Sequence, residues 1–226
     1  MRLLRHLPNT LTCLNLFSGC AGIISVWYGE AASAIWYVML AGFFDFLDGL
    51  AARALRVTSP IGKELDSLAD MVSFGVLPAL VMFRMIDTIS TSEYLPYTAF
   101  SLAVFSALRL AKFNIDERQH ESFIGLPTPA NAFFITSLVY LSSPWDLFIS
   151  QDFFLVGITA VFSFLLVAPL ELFALKFKTY RWADNQLKFT FLGVSVLLLG
   201  IWQLAAMPFV ILGYVVLSLV KSWVRP

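Results

Sequence analysis

Apolar runs of membrane-crossing length, separated by short polar breaks, recur from one end of the chain to the other. A crossing helix takes about 20 mainly apolar residues. Eight stretches meet or approach that measure: 9–28, 32–55, 63–86, 94–113, 130–148, 153–175, 187–203 and 207–222. Pro8-Asn9-Thr10 opens the first as a helix start. Pro78 predicts a kink in the third, Ser142-Ser143-Pro144 bounds the fifth, and Pro169 stands near the end of the sixth. Residues 187–222 would make one helix of about 54 Å, too long for one crossing, so the break is expected at Gln203–Pro208. The pattern predicts an all-α polytopic membrane protein with about eight transmembrane helices. It forms a single membrane domain over 1–226, with a six-helix core over 1–175 and a basic loop and helical hairpin over 176–226.

Composition agrees with the pattern. The chain of 226 residues is 59% hydrophobic and only 13% charged, with a mean hydropathy of +0.80; a soluble domain carries about a quarter charged residues. The net charge is zero, so no overall field draws the protein to nucleic acid. Cys13 and Cys20 would stand about 10 Å apart along one helix, beyond disulfide reach, and are read as apolar filler. Met1-Arg-Leu-Leu-Arg before the first run could pass for a signal peptide, but that run is long enough to span and further spans follow it.

The basic residues set the orientation. With both termini inside, only Arg84 of the 15 Lys and Arg falls outside, a strong positive-inside bias. The inner segments then include Arg2, Arg5, Arg109, Lys112, Arg118, Lys176, Lys178 and Arg225. The same layout puts one end of the second and third spans at the cytoplasmic surface of the inner membrane.

That end carries the chemistry. Asp45 and Asp48 stand at i and i+3, and Asp66 and Asp70 at i and i+4, so each pair shares a helix face. Acids in a membrane segment are costly and mark functional sites, and four together repel one another unless a cation is bound. Carboxylate oxygens suit Mg2+ or Mn2+, and two such ions about 4 Å apart clamp a phosphoryl group during in-line displacement. Gly49 and Ala52 are small and leave room for a flat group, and Arg53 offers a forked donor to phosphate.

The run Asp45-x2-Asp48-Gly49-x2-Ala52-Arg53-x8-Gly62-x3-Asp66-x3-Asp70 resembles the full signature of the CDP-alcohol phosphotransferases, membrane enzymes that transfer a phospho-alcohol from a CDP-linked donor to a second alcohol and release CMP. Three further stretches, Asn9 to Gly19, Arg109-Leu-Ala-Lys-Phe-Asn114 and Phe123 to Asn131, resemble the integral-membrane phosphatidylserine synthases of that family. The resemblance covers about residues 8–135.

The resemblance implies that CDP-diacylglycerol is the donor and L-serine the acceptor. It implies that Asp45, Asp48, Asp66 and Asp70 hold two divalent cations, Mg2+ or Mn2+, with Asp70 also the general base. It implies that Asn9, Asp48, Gly49, Ala52, Arg53, Ser59 and Gly62 bind CDP-diacylglycerol, and that the protein is a homodimer. Serine brings a carboxylate, for which Arg109 and Lys112, at i and i+3, are the candidate cations. The loop Gly125 to Pro129 is a candidate cover for the acceptor. Two other readings stand beside this one: the same chemistry with glycerol 3-phosphate or inositol phosphate as acceptor, and a cation transporter. A transporter's acids belong near mid-membrane, whereas these cluster near one face.

Overall fold

The computed structural model of the chain describes residues 6–57, 59–115, 123–172 and 181–224. Arg2, Arg5, Arg118, Lys176, Lys178, Arg225 and the loop residues 116–122, which entered the orientation and loop readings, lie outside the described residues. Among the described residues the fold is all-helical apart from a two-residue antiparallel ladder that pairs Phe123 with Leu172 and Ile124 with Glu171.

The first helix, α1 (Leu7–Trp27), is built inside out. Its buried positions are Pro8, Thr12, Asn15, Ser18, Gly19, Gly22 and Val26, a stripe at helical spacing made mostly of small and polar residues. Its apolar side chains, among them Phe17, Ile24 and Trp27, face outward, as do the free thiols of Cys13 and Cys20. This is the arrangement of a helix solvated by lipid, where small residues let helix backbones approach. A Cβ added at Gly19 would fall 2.9 Å from the Ser73 Cα, and one at Gly22 would fall 2.9 Å from the Tyr37 Cβ.

Helix α2 (Ala34–Leu55) packs along α1 and ends where Arg56 turns left-handed at φ 52°. Helix α3 (Pro60–Asp70) begins with Ser59 as N-cap, its hydroxyl accepting from the Gly62 N–H, and with Pro60 in the first turn. The expected kink is a π-helical stretch, Met71–Val76, running into α4 (Leu77–Ile89). Pro78 lacks an N–H and its ring presses on the carbonyl of Phe74, four residues back; the wider π turn accommodates both, and it begins directly after Asp70.

A 3-10 turn, Leu95–Phe100, leads into α5 (Ser101–Ile115). Helix α6 (Thr128–Ser137) ends in a 3-10 turn at Leu138–Tyr140, so the fifth segment is shorter than its expected 130–148. Pro144 bars helical continuation there, and residues 146–149 form a separate short turn, α7 (Asp146–Ile149). Helix α8 (Asp152–Val167) likewise stops before its expected end at 175. Ala168, ahead of Pro169, is extended at ψ 142°, as the residue before proline prefers. Helices α9 (Trp182–Trp202) and α10 (Met207–Val224) are separated at Gln203, whose φ is 51°, by a 3-10 turn over Gln203–Ala206. The break therefore falls where the hydropathy placed it.

Among the described residues, four stretches are long and apolar enough to cross a membrane, Leu7–Trp27, Ala31–Leu55, Pro60–Ile89 and Asn185–Lys221, and Asp152–Val167 is a shorter apolar helix. Many large apolar side chains lie exposed along them, and the protein is an integral membrane protein. Two apolar clusters hold the bundle. One joins residues of α1, α2, α4 and α6; the other joins α4, α5, α6, α8 and α10. Helices α4 and α6 belong to both, so they form the spine against which the site-bearing ends of α1, α2, α3 and α5 are set.

Candidate active site

The acids converge. Ligand oxygens of Asp45 and Asp48 from α2 and of Asp66 from α3 all lie within 4.8 Å of one another. Asp48 is buried, and its Oδ2 accepts a 2.6 Å hydrogen bond from the Thr12 hydroxyl of α1. Asp66 Oδ1 is buried with no hydrogen-bond partner. Asp70, one turn further along α3, stands outside that trio. Its Oδ1 accepts from Asn15 Nδ2 at 3.1 Å, and its charge is felt by Asp45, Asp66 and Asp48. Carboxylates this close repel at full charge. An orphaned buried oxygen beside two more acids, with no basic side chain bonded to any of the trio among the described residues, is the donor set of a hard divalent cation.

One side of the trio opens into a cavity of about 570 Å3 lined by Pro8, Asn9, Thr12, Asp48, Gly49, Ala52, Val57, Ser59, Pro60, Gly62, Lys63 and Asp66. Every residue expected to contact the donor except Arg53 lines it. Arg53 is exposed and folds toward Gly49, its guanidinium nitrogens about 4 Å from where a Cβ there would sit. Gly62 owes its place to crowding: a Cβ there would meet Ser59 Oγ at 2.9 Å and Asn9 Oδ1 at 3.1 Å. Lys63, which spacing alone did not single out, reaches across to the end of α5 and donates to the Asn114 carbonyl at 2.7 Å, while Asn114 Nδ2 donates to Ser67 Oγ at 2.9 Å.

On the other side lies Arg109. It is only 8% exposed; one terminal nitrogen donates to the Thr128 hydroxyl at 3.4 Å, the guanidinium lies 5.9 Å from the Phe113 ring centroid, and it attracts Asp70. Lys112 is not drawn in with it and is exposed. Residues at i and i+3 stand about 60° apart around a helix, so the pair straddles the edge between a buried and an exposed face, and only Arg109 is buried in the bundle.

The sequence profile of the CDP-alcohol phosphatidyltransferase family matches residues 5–175. The chain belongs to this family. Within it, the chain is 33% identical over 142 residues to the CDP-diacylglycerol--serine O-phosphatidyltransferase of Bacillus subtilis, a match covering 62% of this chain and 79% of that protein. It is 35% identical over 140 residues to the enzyme of the same name from Helicobacter pylori strain J99, covering 61% and 59%. It is 36% identical over 151 residues to that of Saccharomyces cerevisiae, covering 60% and 54%. The match thus spans most of the Bacillus protein and little more than half of the other two.

For a CDP-alcohol phosphatidyltransferase the geometry divides usefully: a cavity, then an acidic trio, then the half-buried Asp70 within the electrostatic reach of the buried Arg109. The gaps in the spacing argument are Thr12 and Asn15 on α1, Lys63 on α3, and Thr128 on α6. A signal for the first two was present in the polar stripe Thr12, Asn15, Ser18, Gly19, which no lipid-facing helix surface would carry.

The loop expected to cover the acceptor is pinned rather than free. Gly125, at φ 80°, donates to the Leu170 carbonyl at 2.9 Å, and Leu126 N–H donates to the Leu165 carbonyl at 2.8 Å.

Proposed function

We propose that this protein transfers the phosphatidyl group of CDP-diacylglycerol to L-serine, yielding phosphatidylserine and CMP. The observation that carries the reading is the position of the acidic trio between a cavity of nucleotide size and a buried Arg109–Asp70–Asn15 group. The names of the relatives support it from a separate direction.

In this reading the cytidine lies in the cavity against Gly49 and Ala52, where the absence of larger side chains admits a flat ring. Asn9, Ser59, Gly62 and Arg53 contact the nucleotide and its diphosphate. Asp45, Asp48, Asp66 and Asp70 hold two divalent cations, Mg2+ or Mn2+. Those ions, when bound, offset the negative charge of the diphosphate and of departing CMP. Thr12 fixes the Asp48 carboxylate and Asn15 fixes that of Asp70. Arg109 takes the serine carboxylate, presenting the hydroxyl to Asp70. Asp70 accepts the hydroxyl proton as the serine oxygen bonds to the phosphorus bearing diacylglycerol, and the bond from that phosphorus to the CMP oxygen breaks. Holding both reactants supplies much of the rate, because a carboxylate alone is a weak base toward an alcohol.

The membrane arrangement proposed with it has eight crossings, both termini in the cytoplasm, and the site at the cytoplasmic face of the inner membrane. Basic-residue asymmetry supports this. The division into a core over 1–175 and a hairpin over 176–226 is supported by the family match ending at 175. A homodimer belongs to the same proposal.

The test is CMP release by purified protein in detergent with CDP-diacylglycerol and Mn2+ or Mg2+, offering L-serine, glycerol 3-phosphate and inositol phosphate in parallel. Release with serine alone is expected. Release with only a phosphorylated acceptor would overturn the choice of acceptor while keeping the donor site.

A further inference from the structure

Six buried side-chain atoms among the described residues lack any hydrogen-bond partner: Asn15 Oδ1, Asp66 Oδ1, Ser106 Oγ, Arg109 Nε, and both Oδ1 and Nδ2 of Asn131. Each such group costs about 1–3 kcal/mol if left unmet, and folded proteins keep few. These six are not scattered. Asn15 bonds Asp70, Asp70 attracts Arg109, and Arg109 bonds Thr128. Asn131 stands one turn deeper than Thr128 on α6, and Ser106 one turn deeper than Arg109 on α5. Ser106 packs on the π-helical turn, since a Cβ at Gly75 would lie 3.1 Å from its Cβ. The same turn is tied to α1 by Ser73, whose hydroxyl donates to the Asn15 carbonyl at 3.0 Å.

Helices α1, α5 and α6 thus each carry unmet polar atoms at, or one turn from, the residues of this chain of contacts. Asn131 is 0% exposed, yet both its amide atoms are idle. An apolar residue there would fold at lower cost, unless something else fills the space in the working protein.

We propose that Asn131, with Asn15 and Ser106, forms the closed end of the acceptor pocket and selects an acceptor carrying both an ammonium and a carboxylate. The inference rests on the acceptor reading given above. The unmet acceptors, Asn15 Oδ1, Asn131 Oδ1 and Ser106 Oγ, suit the three N–H bonds of an α-ammonium. The unmet donors, Arg109 Nε and Asn131 Nδ2, suit a carboxylate. A zwitterion is costly to take out of water unless both charges are met, and this set meets both. An acceptor bearing phosphate and no ammonium would leave the acceptors unmet, and a polar site rejects a ligand that leaves its groups unpaired.

The decisive variant is Asn131→Leu, which removes both idle atoms while keeping the branched outline of the side chain. Its thermal unfolding temperature should be equal to or above that of the parent. Its KM for serine should rise roughly 10- to 100-fold, the loss of hydrogen bonds to a charged group, while the KM for CDP-diacylglycerol stays unchanged. Preference for serine over 3-hydroxypropionate, which lacks the ammonium, and over ethanolamine, which lacks the carboxylate, should shrink. A lower unfolding temperature with unchanged serine KM would make Asn131 a structural residue and overturn the inference. So would an equal rise in both KM values. Should the leucine variant fail to fold, Ser106→Ala carries the same test, with a several-fold rise in serine KM expected and an unchanged value refuting. The parent protein is assayed alongside: absence of serine-dependent CMP release there refutes the functional reading, whereas its presence with an unaltered variant refutes this inference alone.

Discussion

Replacing Asp70 by Asn separates chemistry from structure. The substitution keeps the side chain's size, and its remaining oxygen can still accept the 3.1 Å hydrogen bond from Asn15. Two electrostatic changes oppose each other: Asp45 and Asp66 lose a repelling neighbour, and Arg109 loses an attracting one. The net effect on stability should stay near about 1 kcal/mol, the scale of one hydrogen bond, which at this chain length moves the unfolding temperature by roughly 2–4 °C. The effect on turnover should be far larger. Removing a general base costs about 10²- to 10⁴-fold, or about 3–5 kcal/mol of barrier. The assay pairs initial rates of CMP release from CDP-diacylglycerol and serine in detergent with Mn2+ binding by calorimetry and with thermal unfolding. Turnover should collapse while the fold persists and Mn2+ still binds. Retention of more than about a tenth of the parent rate at equal metal occupancy would remove Asp70 from the proton path. A fall in Mn2+ affinity that by itself accounts for the lost rate would leave it a ligand only.

Other outcomes follow from single contacts. Arg109→Lys keeps the charge but loses the fork that reaches Thr128, so the serine KM should rise about 10-fold or more with the donor KM unchanged; steady-state kinetics with each substrate varied would show it. Gly62→Val pushes a branched side chain onto Ser59 and Asn9, and should raise the CDP-diacylglycerol KM without altering the apparent affinity for serine. Gly125→Ala sets a Cβ against the Leu166 carbonyl at a positive φ, which should cost about 1–3 kcal/mol and lower the unfolding temperature by several degrees in a thermal melt. Stripping divalent ions with EDTA should abolish CMP release, and Mn2+ or Mg2+ should restore it.

The convergence of the acids was legible in the linear pattern because α2 and α3 are consecutive. Helical spacing alone put Asp45 with Asp48 and Asp66 with Asp70, and a short connection had to bring the pairs together. The side of the proposed site toward α5 and α6 was read only at Arg109, for the opposite reason. Asn15, Ser106, Arg109, Thr128 and Asn131 are single polar residues in or beside apolar runs, drawn from three helices far apart in the chain, and only packing around α4 and α6 joins them. Arg109 and Lys112 show the limit of spacing arguments, since i and i+3 positions can straddle the edge between a buried and an exposed face. The helix ends were readable where a local signal marked them, as at Pro8 and Gln203, while the Ser59 cap and Pro60 went unread and the third span was begun three residues late. Helix ends were overextended where hydropathy continued past a proline, as at Pro144 and Pro169.

The stitching of the Phe123–Leu126 segment to the end of α8 sets a minimum length on this machinery. A chain cut after α6 would retain Asp45, Asp48, Asp66, Asp70, Arg109 and Asn131. It would also strip the partners from the N–H groups of Gly125 and Leu126, which now bond to the Leu170 and Leu165 carbonyls. Both residues are buried, and a buried donor left without a partner costs about 1–3 kcal/mol. The turn that launches α6 would therefore lose its anchor, and Thr128 would no longer hold Arg109 in place. On the proposed reading, the smallest fragment able to present the acceptor must run through Leu172, so the part of the core beyond α6 supports the site although none of its side chains touches a substrate in the proposed reaction.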